Sequence, residues 1–205
     1  MELSHLMPTE ILIKLIYEKN QKNSTTKRNI IMIFDTSVII ELFYANILEK
    51  LNNYKNSIGY NIEFILPNIV LEELKKDRMI SKIDNILKQI FKIYDVPIEI
   101  MKEIKSKKPT LELGELSVLA IATLIRQKNP SSSVIVIIDE KKGRKVAEEL
   151  GLEKHGTLWI IIQFKKQKVI SEKEAIEIVK GLPYRGFYLD KEKLEQAIER
   201  IKIDC

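Results

Sequence analysis

Four segments of the chain carry carboxylates in settings where they could do chemistry. Asp35-Thr36-Ser37 follows the apolar run IIMIF, and Asp139-Glu140 follows VIVII. Glu72-Glu73 lies shortly after IEFIL, and Glu115 opens GELSVLAIA behind Gly114. Carboxylates brought together from separate segments, with no matching set of cations, repel one another unless a divalent cation neutralises them. All-oxygen ligands of this kind suit Mg²⁺ or Mn²⁺, which keep some of their waters and bridge phosphates. Each residue taken singly also has a structural explanation. Asp, Thr and Ser cap helix N-termini, a glutamate in a first helical turn is favoured by the helix dipole, and Glu72 or Glu73 can be plain surface charge. The case for chemistry rests on the combination.

The elements that must position these acids are legible from the hydrophobic pattern. Short β-branched runs at 30–34, 62–66 and 134–138, with a shorter one at 93–96, alternate with helical stretches at 37–51, 68–78, 82–91, 115–127 and 141–150. That alternation predicts βαβ units and a parallel sheet. In open sheets of this class functional groups gather at the carboxyl ends of the strands, which is where Asp35 and Asp139 fall. Gly151 supplies a helix stop. Ser171 and Glu174 predict a capping box, and Asp190 a cap for a last helix carrying Leu194, Ala197, Ile198 and Ile201. Ahead of the sheet, Ile11, Leu12, Leu15 and Ile16 predict an amphipathic helix that packs against this domain or another subunit, followed by the polar stretch NQKNSTTKRN. The expected organisation is a helical extension and linker over 1–29 and one α/β domain over 30–205.

Composition narrows the function classes. The formal charge is +5 and the pI about 9.0, a balance that favours a polyanionic partner. Basic clusters stand at Lys75 and Lys76, at Lys102, Lys105, Lys107 and Lys108, and at Lys141, Lys142, Arg144 and Lys145; any of them can equally be a solvated face. His5 and His155 are far apart and Cys205 is the single cysteine, so zinc chemistry lacks ligands. No G-x-G or G-K-[ST] phosphate loop occurs, and Asp35-Thr36-Ser37 lacks the second Asp of haloacid-type phosphatases. One cysteine and no long apolar run predict a cytoplasmic protein outside the membrane.

The motifs together resemble one family. IFDTSVIIEL is similar to the opening strand and helix of PIN domains, and LPNIVLEELKK to their second acidic helix. LGELSVLAIA, VIIDEKKGRKVAEELGLEKHGTL and GLPYRGFYLDKEKLEQAI resemble motifs of a VapC-like toxin subgroup, so the likeness covers about 30–201. It implies a PIN-like Rossmannoid three-layer sandwich, with a central parallel sheet of four to five strands flanked by helices. It also implies a catalytic set of Asp35, Glu73, Glu115 and Asp139, with Asp35, Glu115 and Asp139 as ligands of Mg²⁺ or Mn²⁺. Thr36, Ser37, Glu72 and Glu140 would support them; Glu72 can replace Glu73, and Glu140 can replace or assist Asp139. Glu41 is expected outside the first ligand shell.

The implied function is a metal-dependent endoribonuclease, with Lys141, Lys142, Arg144 and Lys145 holding the RNA backbone. As partners the resemblance implies an RNA substrate, an antitoxin protein, and a homodimer or higher oligomer. The alternative is an inactive PIN scaffold that binds RNA or protein. The resemblance also predicts a helix at 157–166, although LWIII reads as a strand by its β-branched content. The thirty residues ahead of the first strand depart from the family's usual beginning.

Overall fold

The computed structural model describes residues 29–78 and 80–203. The N-terminal helix and linker expected over 1–29 lie outside the described residues except for Asn29, as do His5 and Cys205.

Five parallel strands form the sheet: β1 (Asn29–Phe34), β2 (Asn61–Pro67), β3 (Lys92–Tyr94), β4 (Ser133–Ile137) and β5 (Glu153–His155). Their order is β3-β2-β1-β4-β5, all neighbours parallel. The α/β class and the sheet expected from the sequence are what the chain forms. The chain steps outward from β1 to β2 and β3, then returns to place β4 on the other side of β1. The switch point therefore lies between β1 and β4, with Phe34 opposite Ile137 in register. The residues just beyond those two strand ends are Asp35 and, after Ile138, Asp139.

Helices cover both faces, which is why the inner strands read as continuous apolar runs rather than alternating ones. Ile33, Phe34, Phe64, Leu66, Val136 and Ile137 are all almost fully buried. Phe34 meets the edges of Phe64 and Phe91 at ring-centroid distances of 5.6 and 5.2 Å. The central helix is α6 (Leu113–Lys128), in which every residue from Gly114 to Ala122 is buried. The remaining helices are α1 (Thr36–Tyr44), α2 (Lys50–Ser57), α3 (Asn68–Leu74), α4 (Asp84–Ile90), α5 (Ile98–Lys107), α7 (Lys141–Glu149), α8 (Thr157–Lys166), α9 (Glu172–Gly181) and α10 (Lys191–Ile203).

Several boundaries differ from the sequence pattern. The single helix expected over 37–51 is broken into α1 and α2, because Asn46 adopts a left-handed backbone with φ of 58°. Asn tolerates that conformation better than most residues, and it ends a helix much as glycine does. The helix expected to 78 ends at Leu74, and the one expected from 82 begins with a 3₁₀ turn, Ile80–Ile83. Helix α5, which starts directly after Pro97, and the edge strand β5 were not expected. The sequence of β5, Glu-Lys-His, carries no apolar residue to betray a strand; charge suits an edge.

LWIII is helical, as the resemblance predicted against propensity. Helix α8 buries Ile160, Ile161, Ile162 and Phe164, each contributing about 1.5–3 kcal/mol of apolar burial, and Phe164 packs on Tyr54. At the far end, Ser171 Oγ accepts from the Glu174 amide, one half of the expected capping box, and Asp190 Oδ1 accepts from the Lys193 amide as expected for a cap.

Candidate active site

Asp35 sits where β1 ends and α1 begins, held there because its own amide continues the sheet by donating to the Ile137 carbonyl at 3.0 Å. Its backbone occupies the N-cap position, yet its side chain makes no capping hydrogen bond. The carboxylate instead accepts from Ser37 Oγ at 2.8 Å and is only 4% exposed. Burial raises its pKa from 3.8 to about 6; hydrogen bonding by Ser37 opposes that, and the negative charges of Glu115 and Glu73 add to it.

Glu73 reaches the same place from α3. Its Oε2 accepts a short hydrogen bond from Thr36 Oγ1, at 2.5 Å. Gly114, in the first turn of α6, forms the floor between them. A Cβ placed there would stand 2.7 Å from Glu73 Oε2 and 3.1 Å from both Asp35 Oδ1 and Thr36 Oγ1. Only a glycine lets the α6 backbone approach two carboxylates so closely. Neither Asp35 nor Glu73 is in an ion pair among the described residues. Glu72, by contrast, points away, with a side chain 67% exposed and paired to Lys75 at 2.6 Å.

Glu115 and Asp139 are held differently. Glu115 Oε2 accepts from the Glu112 amide at 2.9 Å, completing a reciprocal capping box at the start of α6. Its Oε1 accepts from the Gly143 amide in α7, also at 2.9 Å, so one carboxylate ties two helix starts together. Burial raises its pKa, these amides oppose the rise, and Glu112 and Glu140 reinforce it. Asp139 pins the first residue of α8: Oδ1 accepts from the Thr157 amide at 2.8 Å and Oδ2 from Thr157 Oγ1 at 2.6 Å. Burial raises its pKa too, against Thr157's hydrogen bonds and the nearby Arg144. Glu140 occupies the N-cap position of α7 and is exposed.

Two further glycines play the part of Gly114. A Cβ at Gly143 would lie 2.7 Å from Glu115 Oε1, and one at Gly156 would collide with Asp139 Oδ1. The signal in the sequence was the proximity of each glycine to an acidic motif. Glu41 lies 3.6 Å from Arg185 Nε; burial raises its pKa, the Arg185 guanidinium opposes the rise and the charge of Asp139 adds to it. Arg185, in the 3₁₀ turn Pro183–Arg185, lies within the GLPYRGFYLDKEKLEQAI motif but is not among the site residues expected from the sequence.

Among the basic residues, Lys141 and Arg144 line a groove beside Asp139, whereas Lys142 and Lys145 are exposed and do not line it. Lys75 pairs with Glu72, Lys107 with Glu103 and Lys108 with Glu149, and Lys105 donates to the Leu111 carbonyl. Those lysines serve the fold's surface.

The pair Asp35 and Glu73 with the Thr36 hydroxyl is an all-oxygen donor set, Asp35 buried and the other two half-buried, with no ion-pair partner among the described residues, and it fits a hard cation in its chemistry. Among the described residues, no three His, Cys, Asp or Glu side chains stand close enough together to hold one ion, and the expected trio Asp35, Glu115 and Asp139 is included in that statement. No helix of the described residues is long and apolar enough to cross a membrane. A search of curated proteins gives no match. One family model, described as a PIN domain, matches residues 31–203, from the first strand to the last helix. That span contains the whole sheet nearly from its first residue and every acid above, and the chain belongs to the PIN-domain family.

Proposed function

We propose that this PIN domain is a Mg²⁺- or Mn²⁺-dependent endoribonuclease whose reaction centre lies at Asp35 and Glu73. PIN domains are generally nucleases. The observation that carries the finer reading is the buried Asp35 carboxylate and the half-buried Glu73 carboxylate closing on Gly114, neither in an ion pair among the described residues. Burying charge without a partner is unfavourable, and a fold that keeps such a pair at its switch point has a use for it. Asp35, Glu73 and the Thr36 hydroxyl would hold the ion, and Glu115 and Asp139 would act through water. Bound there, the ion would supply Lewis-acid stabilisation of charge developing on a scissile phosphate.

The chain's own residues do the rest. Ser37 and Thr36 fix the orientations of Asp35 and Glu73 by hydrogen bonding to them. Glu115 and Asp139 lock the starts of α6, α7 and α8 around the strand ends, so the acids sit on rigid elements. Lys141 and Arg144 offer positive charge to the RNA backbone on the Asp139 side.

The toxin role in a toxin–antitoxin pair rests on the motif resemblance in LGELSVLAIA and in the C-terminal segment. A small adjacent reading frame encoding a DNA-binding protein would support it, and so would a homodimer in solution. A binding-only scaffold is the second reading, favoured by one observation: both oxygens of Glu115 and of Asp139 are already engaged by protein donors. Incubating a single-stranded RNA with the protein and Mn²⁺, with EDTA as control, separates the two. Cleavage that is lost in Asp35→Asn supports the nuclease; intact RNA in every arm supports the scaffold.

A further inference from the structure

A groove of 490 Å³ opens beside Asp139, walled by α7, α8, the 187–189 segment and α10. Its size falls within the roughly 300–1,000 Å³ of small-ligand sites. The lining combines cations with aromatic rings. Lys141, Arg144, Lys193 and Arg200 contribute to it, and Asp139 is the one carboxylate among its lining residues. Lys193 is partly neutralised by Asp190 at 2.6 Å, Lys141 also acts on Asp190 and Arg144 on Asp139, and the lining still sets four cations against one carboxylate.

The rings are arranged as a platform. The imidazole of His155 stacks on Trp159 with centroids 4.2 Å apart and planes 9° from parallel. Tyr188, which also lines the groove, is 79% exposed. Lys141 Nζ sits 5.7 Å from the centre of the Tyr188 ring, so a cation and a stacking face occur together. None of these residues belongs to the Asp35–Glu73 pair.

We propose that this groove is a nucleotide subsite, in which one unpaired base of a single-stranded RNA stacks on Tyr188 and the His155–Trp159 platform while Lys141, Arg144 and Arg200 hold its flanking phosphates. The inference rests on the nuclease reading for the identity of the strand, and on charge complementarity and ring geometry for the site itself. A base within a duplex has no free face to stack, so the groove selects unpaired RNA. Stacking tolerates every base, so this subsite adds affinity without sequence preference.

Trp159 is the single tryptophan of the chain, so its fluorescence reports on this groove alone. The full-length protein in EDTA, where cleavage is blocked, is titrated with a 3′-fluorescein-labelled eight-nucleotide single-stranded RNA, an unlabelled copy, the same sequence as duplex, and uridine 5′-monophosphate. Fluorescence of Trp159 is read with the unlabelled ligands and polarisation with the labelled strand. The expected result is quenching of Trp159 at the same Kd as the polarisation change, with the duplex and the mononucleotide much weaker. Tyr188→Ala, at a site too exposed to endanger folding, should weaken binding of the strand by about tenfold, the scale of one base–aromatic stack.

Strand binding that leaves Trp159 silent overturns the proposal, as does Tyr188→Ala binding like wild type, or no strand binding at all. A groove made for an acidic protein segment would give that silent result. A mononucleotide bound as tightly as the strand would make the groove a free-nucleotide site and overturns it equally. Because all of these readings are taken without metal, a wild type that binds in this way yet never cuts RNA with Mn²⁺ refutes the nuclease reading and leaves the subsite standing.

Discussion

Replacing Asp35 by Asn removes a buried negative charge while nearly keeping its shape, and the consequence for stability follows from the structure. The carboxyl has a pKa of about 6 in the folded protein against an ordinary 3.8, chiefly through burial. At about 1.36 kcal/mol per pH unit, that difference means the ionised form costs the native state about 3 kcal/mol. The folded state binds this proton more tightly than the unfolded state does, so the stabilisation from protonating Asp35 is present below pH 3.8 and is lost as the pH rises to about 6. Asn carries no such cost at any pH. Without metal, Asp35→Asn should therefore be more stable than wild type above pH 6, by up to about 3 kcal/mol. For a domain of this size that corresponds to a rise in Tm of up to about 6–12 °C. The advantage should shrink between pH 6 and 4 and vanish below. Thermal unfolding of both proteins in EDTA at pH 8, 6 and 4, followed by circular dichroism, measures it. A mutant no more stable than wild type at pH 8, or an advantage that does not shrink on acidification, refutes the argument from burial.

The other outcomes concern the groups around that carboxylate. Adding Mn²⁺ should raise the Tm of wild type and leave that of Asp35→Asn nearly unchanged, since only a ligand bound preferentially by the native state stabilises it; thermal shift assays in both proteins check this. Gly114→Ala puts a methyl group where Glu73 Oε2 stands, 2.7 Å away. The flexible Glu73 end should swing out, so stability should stay within about 1 kcal/mol, helped by alanine's helix propensity, while RNA cleavage falls at least tenfold in a fixed-time assay. Thr157→Val removes the hydroxyl that donates to Asp139 Oδ2 at 2.6 Å. Leaving that part-buried oxygen without its donor should cost about 1 kcal/mol by denaturant unfolding.

How far the sequence carried these conclusions depended on what each feature rests upon. IIMIF and VIVII are buried on both faces, so their apolar runs announced inner strands, and acids after them pointed to the carboxyl edge of the sheet. Strand β5 lies at an edge, where charged residues serve as well as apolar ones, and Glu-Lys-His leaves no pattern to read. The break at Asn46 depends on one left-handed residue inside an otherwise helical stretch. Helix α8 was misread by propensity alone because its start is fixed through Asp139, eighteen residues away, and by burial of four apolar side chains. Within the site, adjacent acids such as Glu72 and Glu73 are alike in sequence; the helix turn that aims one at Thr36 and the other at Lys75 separates them. That Glu115 and Asp139 both accept backbone hydrogen bonds, and that Gly114 lets Asp35 and Glu73 close together, are facts of tertiary approach. The groove around Trp159 and Tyr188 is assembled from three segments; the sequence pointed to Lys141 and Arg144, but not to the rings that tertiary approach sets beside them.

The central claim is that Asp35 and Glu73, meeting at Gly114, form the reaction centre. The neighbouring glutamates provide its own control, since Glu72 and Glu73 differ by one position and by which way they face. Cleavage of a single-stranded RNA with Mn²⁺ should be measured for Glu73→Gln and Glu72→Gln side by side, each confirmed folded by its thermal unfolding. The account predicts that Glu73→Gln loses at least 100-fold in rate, about 2.7 kcal/mol of transition-state stabilisation, while Glu72→Gln stays within about twofold of wild type. Equal activity in the two variants, or loss in Glu72→Gln alone, would contradict it.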